Sequence, residues 1–287
     1  MQNRVHANPH ASECCPHVPS FRPMKPHVQY RHMSESAWID LGAGFRCREL
    51  NRDENEDATI SLFEVPAGWS DSEIRLGYGD LEVFVLSGEL AFSDGVVGVA
   101  GSYHRWFSDD GSTAAVRPEG PATVLVQRAL GAIPSRATEG VVLHMDPVDF
   151  QWRGHGRGRN RSEMAVLRED SHTGAQTYAL RLPPGWVGRA GQHFHTVSEE
   201  AFIVAGDVAL EDEPVYTSGS YLFRPPHVVH GARERSETGC FALTWTSGPI
   251  DFNYVTVEGP MAVPSGITRS GGCFGIHSHQ TDSENHT

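Results

Sequence analysis

Hydrophobic residues in this chain fall in short runs that alternate with polar positions or stand together, and each run ends near Gly, Pro or Ser. Thr59 to Val65 and Thr177 to Leu182 are two such runs. Leu81 to Phe92 and Glu200 to Leu210 each hold two runs around a Gly, which is typical of a β-hairpin. No long amphipathic helix with caps at both ends is visible. The pattern predicts an all-β protein of the barrel or sandwich type.

The two predicted hairpins belong to an internal repeat. Residues of the first copy recur in the second at a nearly constant offset, with one residue inserted part-way. The matched pairs are Leu50 and Leu167, Asp53 and Asp170, Pro66 and Pro183, Gly68 and Gly185, Trp69 and Trp186, Glu82 and Glu200, Phe84 and Phe202, Gly88 and Gly206, Gly101 and Gly219, Ser102 and Ser220, and Tyr103 and Tyr221. Self-similarity on this scale indicates duplication of a whole domain rather than a short-period solenoid.

The repeat fixes the expected domain organisation. We predict an N-terminal domain over residues 35–145 and a C-terminal domain over residues 146–260. Residues 1–34 are rich in His, Pro and Ser, and residues 261–287 are rich in Ser, Gly and His. Neither end shows an apolar period, so both are expected to be flexible extensions.

Composition and charge restrict the partners of the protein. The chain has 287 residues and a formal net charge of -13, which argues against sequence-independent binding to nucleic acid phosphates. It has no apolar run of the length of a membrane span, about 18 residues or more. Its first residues lack the apolar core of a secretory signal, and five cysteines do not form a typical disulfide framework. We therefore expect a cytoplasmic protein.

The candidate metal ligands lie in the second copy of the repeat. His193 and His195 are two residues apart, so on a β-strand their side chains share one face. Glu199 follows four residues later, and His230 comes from a later predicted strand. Three neutral nitrogens and one carboxylate suit iron, manganese, nickel, cobalt or zinc. The spacing therefore predicts one divalent metal ion held inside a β-barrel.

These residues resemble the two motifs of the cupin superfamily. His193, His195, Glu199 and Gly206 match the first motif, and Gly219, Pro225 and His230 match the second. The form with two adjacent Glu residues and a Pro pair resembles cupins of the ChrR and acetylacetone dioxygenase type. The sequence departs from the pattern at His227, where a Gly is usual, and at Glu234, where an Asn is usual. The resemblance implies two tandem cupin barrels of the double-stranded β-helix (jelly-roll) type, paired as a homodimer.

The first copy is not expected to bind the metal. The positions that match the four candidate ligands are Arg75, Gly77, Leu81 and Ser112. None of these is a good metal ligand, so the prediction is one ion per chain, in the C-terminal domain. A substrate pocket without metal in the N-terminal domain stays open.

Further pocket residues follow from strand position. Tyr178 and Trp245 lie on predicted strands whose alternate residues face a barrel interior, and the sequence leaves open which alternate set does so. Arg181, Arg224 and Trp245 would suit an anionic or aromatic substrate, and His227 lies three residues before the last predicted ligand, His230.

Glu200 and His227 are candidates to orient the ligand histidines by hydrogen bonds. The counterpart of Glu200 is Glu82 in the metal-free copy, which favours a structural role instead.

Four protein ligands leave two adjacent positions of an octahedral ion open, as a non-haem iron oxygenase requires. We therefore expect an Fe(II)-dependent dioxygenase that binds dioxygen and a small ketone, diketone or phenolic substrate, with Glu199 as ligand or base. A metal-dependent isomerase, cyclase or lyase is the first alternative. A zinc-binding sensor of the ChrR type is the second.

Overall fold

The computed structural model describes residues 25–53, 58–66, 74–75, 79–92, 95–108, 115–118, 120–129, 143–188, 191–211, 213–255 and 267–269. This part of the chain is built from strands and three short 3-10 turns, at Met33–Glu35, Pro147–Asp149 and Gly158–Asn160. No helix among these residues has the length and apolarity that crossing a membrane requires. Gly77 and Ser112, two of the first-copy positions compared above, lie outside the described residues.

The strands of the first half, in chain order, are β1 (Val28–His32), β2 (Ile39–Gly42), β3 (Phe45–Asp53), β4 (Ala58–Val65), β5 (Ile74–Arg75), β6 (Gly79–Ser87), β7 (Glu89–Phe92), β8 (Val97–Val99), β9 (Tyr103–Ser108), β10 (Ala115–Pro118), β11 (Ala122–Ala129) and β12 (Leu143–Met145). Strands β12-β9-β6-β11-β4-β3-β2 form one antiparallel sheet in that order, called the N-terminal sheet below. Strands β5-β10-β7-β8 form a smaller sheet.

The strands of the second half are β13 (Arg153–His155), β14 (Ser162–Glu169), β15 (Gln176–Leu182), β16 (Trp186–Val187), β17 (His193–Phe194), β18 (Glu199–Val208), β19 (Tyr216–Thr217), β20 (Ser220–Arg224), β21 (Arg235–Ser236), β22 (Cys240–Thr246), β23 (Asn253–Val255) and β24 (Ile267–Arg269). Strands β1-β20-β18-β22-β15-β14-β13 form the C-terminal sheet, and β19 also pairs with β18. Strands β16-β21 and β17-β23-β24 form two small sheets.

The two large sheets have the same internal strand order. The series β9-β6-β11-β4-β3 in the first half corresponds to β20-β18-β22-β15-β14 in the second. This is the order that a duplicated sequence would produce. The division into two tandem barrels with the stated boundaries stays a prediction.

The N-terminal extension, predicted to be flexible or draped over the barrel, and the C-terminal extension each contribute a strand to these sheets. Val28–His32 forms β1, which pairs antiparallel with β20 at the edge of the C-terminal sheet. Ile267–Arg269 forms β24, which pairs with β23. An open sheet edge offers unpaired backbone N–H and C=O groups, and β1 satisfies those of β20.

The two large sheets pack against each other through one face each. This interface core joins apolar residues of both halves: Leu50, Ile60, Leu62, Phe84, Tyr103 and Leu125 from the first, and Ala165, Leu167, Ala179, Phe202, Tyr221, Leu243 and Trp245 from the second. The opposite face of the C-terminal sheet points into a separate C-terminal core, which contains Leu182, Trp186, Ala201, Ile203, Leu210, Tyr216, Leu222, Cys240 and Ala242. Adjacent residues of one strand therefore serve different cores, because side chains alternate across a strand.

Two buried carboxylates lie in the interface between the sheets. Glu82 accepts hydrogen bonds from the Tyr103 hydroxyl at 2.9 Å, the Thr177 hydroxyl at 2.7 Å and the Trp245 indole N–H at 2.9 Å. Arg168 lies 3.4 Å from its other oxygen. Because these partners come from both halves, the carboxylate of Glu82 joins the two sheets.

Glu200 repeats this arrangement. Its carboxylate accepts a hydrogen bond from the Tyr221 hydroxyl at 2.7 Å and pairs with Lys25 Nζ at 2.9 Å. Tyr221 in turn accepts a hydrogen bond from the side-chain amide of Asn51, in the first half. Glu200 therefore has the structural role that its duplicate Glu82 indicated.

The interface predicts a large effect of one substitution. Glu82→Ala should lower the free energy of unfolding by about 3 kcal/mol, because it leaves the buried hydroxyl and indole donors without their acceptor and removes one of the ion pairs of Arg168. Urea unfolding at neutral pH measures this value. Glu64→Ala is the matched control, since its ion pair with Arg46 is largely exposed and should be worth less than about 1 kcal/mol. Equal effects of the two substitutions would contradict the role given to Glu82.

Candidate metal centre

Three histidine side chains converge in the second half. His193 and His195 stand at β17 and just after it, while His230 follows β20 along the chain. The backbones of His193 and His230 form a reciprocal pair of hydrogen bonds of 2.8 Å each. All three residues are buried, and one ring nitrogen of each lies within 4.8 Å of those of the other two. Three imidazoles from two segments thus surround one point.

Glu199, the first residue of β18, joins this group. Its Oε2 atom lies 3.9 Å from His195 Nε2 and 3.6 Å from His230 Nε2. The structure therefore brings together the four side chains that the sequence named as ligands. That they bind a metal stays a prediction.

Backbone carbonyls fix the orientation of two of the rings. The Nδ1 atom of His230 lies 2.9 Å from the carbonyl oxygen of Val228, and Nδ1 of His195 contacts the carbonyl oxygen of Asp251. In each ring the Nδ1–H tautomer donates to the carbonyl and leaves the Nε2 lone pair free to bind a metal ion at the centre. The side chains proposed from the sequence for this task, Glu200 and His227, do not perform it.

The pKa values of His193, His230 and Glu199 favour the protonation states in which these side chains bind metals. Burial, followed by the neighbouring His230 and His195, lowers the pKa of His193 to about 3. Burial and then Arg224 lower the pKa of His230 to about 4. Burial alone would raise the pKa of Glu199, but His195 and Arg224 outweigh it and lower that pKa to about 2. At neutral pH His193 and His230 are therefore neutral and Glu199 is a carboxylate.

Arg224 is a fixed part of the site. Its guanidinium donates to Glu199 Oε2 at 3.0 Å, to Glu213 Oε2 at 3.1 Å and to the Tyr216 hydroxyl at 3.4 Å. The residue is buried, and the two carboxylates occupy its donors. Arg224 therefore orients Glu199 and balances its charge, instead of standing free for an anionic substrate as the sequence suggested.

A carboxyl group that the sequence analysis did not assign to the site also lies here. Burial and the negative charge of Glu199 raise the pKa of Glu234 to about 7, and they outweigh the opposite effect of Arg224. The charge of Glu213 adds to the increase. The only signal for Glu234 in the sequence was its place in the second motif, where it replaces an Asn. Among the described residues of this interior, three carboxyl groups lie near one guanidinium, so the charge balance favours a bound cation.

The remaining substrate-binding predictions divide according to the faces of the sheet. The face of the C-terminal sheet that points into the C-terminal core is called the inner face here. Tyr178 is buried on this face, and burial together with the charge of Glu199 raises its pKa. Trp245 lies on the opposite face, with its indole bonded to Glu82, and Arg181 stacks over the Trp152 ring at 3.7 Å. Trp245 and Arg181 therefore lie on the face of the sheet opposite the candidate metal centre, which answers the question of faces that the sequence left open. His227 is exposed and its ring packs 5.4 Å from that of Phe194, so it lies outside the inner face.

The chain is similar to known proteins both in part of its sequence and in its fold. Residues 141–250 match the family profile described as ChrR Cupin-like domain. The structure of quercetin 2,3-dioxygenase from Acinetobacter baumannii is similar, with a TM-score of 0.54 and 13% identity over 83% of this chain and 91% of that one. The fold is that of a cupin. The all-β class and the cupin resemblance predicted from the sequence are thereby confirmed.

Two further cupin-fold structures show a similar degree of likeness. A protein described as a "putative dioxygenase" from Nostoc punctiforme has a TM-score of 0.58 and 18% identity, over 78% of this chain and 79% of that one. The pirin YhhW from Escherichia coli, in complex with nickel(II), has a TM-score of 0.55 and 11% identity, over 79% of this chain and 100% of that one. No curated protein matches the chain with statistical significance.

The donor set fits the metals that cupins hold. Three buried imidazoles and one carboxylate, with an adjacent excess of negative charge, suit iron, manganese, cobalt, nickel or zinc. His193→Ala should therefore lose most of the metal bound by the purified protein, as measured by elemental analysis. His227→Ala removes an imidazole outside the inner face and should keep the full amount. A His193→Ala protein that retains its metal would contradict the assignment.

A glycine beside the centre gives an independent test. Gly231 has a φ of +84°, and a Cβ there would stand 2.4 Å from His193 Cε1. Gly231→Ala should displace the His193 ring and weaken metal binding roughly tenfold or more, as titration of the metal-free protein would measure. Gly158→Ala is the control: its φ is also positive, but a Cβ there meets nothing within 4 Å. Equal metal affinity of the two variants would contradict the role given to the Gly231 position.

Proposed function

We propose that this protein is a metal-dependent cupin enzyme, and that it is a non-haem iron dioxygenase acting on a small ketone, diketone or phenolic compound. The observation that carries the proposal is the convergence of His193, His195 and His230 with Glu199 in a buried interior. A set of four protein ligands leaves two positions of an octahedral ion for substrate and dioxygen. Two cupin-fold relatives described as dioxygenases support this choice.

The residues of the chain divide the work of such a site. A bound iron ion would supply Lewis acidity and the redox chemistry with dioxygen. The three histidines would hold the ion, with His193 and His230 neutral at neutral pH because burial lowers their pKa values, and Arg224 orients Glu199. Glu234 holds a proton near neutral pH, because burial and Glu199 raise its pKa to about 7, and it can exchange that proton with an enol or hydroxyl group of a substrate. The apolar C-terminal core around these groups excludes water.

Glu234 also favours a second candidate, a metal-dependent isomerase, cyclase or lyase. These reactions need proton transfer and a Lewis acid but no dioxygen. A carboxyl group that is separate from the four proposed ligands and has a pKa near neutrality suits this task. The match of residues 141–250 to the ChrR Cupin-like profile keeps a zinc-binding sensor as a further alternative.

Oxygen consumption tests the proposal directly. Protein purified without added metal should contain iron and should take up dioxygen with 2,4-pentanedione or a hydroxyacetophenone as substrate. His193→Ala should abolish the uptake, because the proposed metal is lost. Bound zinc without oxygen uptake would refute the dioxygenase. Turnover of the same compounds without oxygen would establish the isomerase or lyase class instead.

A further inference from the structure

Strands β16 and β21 hold two buried polar groups that no other described residue satisfies. Trp186 and Ser236 are direct partners across these antiparallel strands, so their side chains share one face. Trp186 is 9% exposed and Ser236 is 1% exposed. Neither the indole Nε1 nor the hydroxyl Oγ has a hydrogen-bond partner in the described part of the chain. A buried polar group without a partner is costly, so this pair calls for a ligand that can bond to it.

Glu234 connects this pair to the metal centre. The Oε1 atom of Glu234 lies 2.9 Å from the point that a Cβ at Gly231 would occupy, and His193 Nδ1 lies 2.7 Å from the same point. The Oε2 atom of Glu234 lies 2.8 Å from the point that a Cβ at Gly188 would occupy, and Trp186 Cη2 lies 2.7 Å from that point. The carboxylate thus has a candidate metal ligand on one side and the Trp186 ring on the other.

The two glycines let the carboxyl group of Glu234 lie close to the backbone. A Cβ at Gly188 would clash with Trp186 and Glu234, and a Cβ at Gly231 would clash with His193 and Glu234. Trp186 belongs to the C-terminal core, so these contacts lie in the interior of the second half. Glu234, Trp186 and Ser236 therefore follow one another along one wall that begins at the candidate metal centre.

The charges on this wall select the ligand. Among the described residues, Arg224 is the guanidinium whose charge acts on Glu234, and Glu199 and Glu213 already occupy its donors. It is therefore not free to bind a carboxylate or phosphate on the ligand. A hydroxyl group fits instead, because it can accept a hydrogen bond from the indole N–H of Trp186 and donate one to a carboxyl oxygen of Glu234.

We propose that Glu234, Trp186 and Ser236 form a subsite for a hydroxyl group on an uncharged part of the substrate. The substrate is then a metal-chelating enol or hydroxyketone that carries a further hydroxyl at a distance from its chelating oxygens. This proposal rests on the proposed metal centre, which holds the chelating end. It does not depend on the reaction that follows. It also replaces the anionic substrate that free arginines would have suited.

A pair of probe ligands isolates the subsite. Kojic acid and allomaltol chelate metals through the same hydroxypyranone oxygens, and they differ only by the hydroxymethyl group of kojic acid, which is a methyl group in allomaltol. Calorimetric titration of the nickel(II)-loaded full chain should give roughly tenfold or greater tighter binding of kojic acid, since a hydrogen bond to a charged group contributes about that factor. Equal affinities for the two compounds would overturn the proposal.

Variants show which residues cause the preference. Ser236→Ala and Trp186→Phe should each reduce the ratio of the two affinities, and the double variant should reduce it further, because it leaves Glu234 as the one partner of the three. The exposed Ser218 serves as control, because Ser218→Ala should leave the ratio unchanged. Allomaltol affinity within each variant reports whether the protein is folded and the metal centre intact. A preference for kojic acid that is as large in the double variant as in the unmodified protein would place the hydroxyl elsewhere and overturn the proposal.

The same experiment separates the subsite from the metal centre. If elemental analysis finds no nickel and neither compound binds, the proposed metal centre itself fails, and the subsite proposal fails with it. If nickel and allomaltol bind normally but kojic acid gains nothing, the metal centre stands and only the subsite is refuted.

Discussion

The alternation of side chains across the strands of the C-terminal sheet is the constraint on which this structure depends. Neighbouring residues of β18 show it most clearly. Glu199 points toward the histidines, whereas Glu200 points to the interface, where Lys25 and Tyr221 bind it. One sheet can therefore join the two halves on one face and build a chemical site on the other, because the spacing of two residues keeps the sets apart.

The guanidinium of Arg224 partly balances the acidic groups near the candidate metal centre. Arg224 binds Glu199 and Glu213, and His195 together with Arg224 lowers the pKa of Glu199 against the effect of burial. For Glu234, burial and the charge of Glu199 outweigh Arg224, and its pKa is raised. This imbalance would be costly in a purely structural core, since buried carboxylates need partners. It is understandable in a site that is completed by a cation.

The parts of the site that a local sequence pattern controls could be predicted. Two histidines with strand spacing and one Glu four residues later identified a shared face, and the repeat identified the all-β duplication. The choice between alternate faces could not be made, because both faces of the C-terminal sheet are buried against apolar cores and alternation alone does not say which face carries the site. The partners of the ligand rings could not be found either: the acceptors are the backbone carbonyls of Asp251 and Val228, to which any residue type could contribute.

Lys25 gives the fold an unusual practical property. It is the sole lysine in the sequence, and its amino group is buried against Glu200 beside the edge strand β1. Acylating reagents need a free, unprotonated amine, so they should leave this side chain unmodified as long as the N-terminal segment stays docked. The rate of Lys25 acetylation, measured by mass spectrometry, would then report how often that segment is released from the C-terminal sheet.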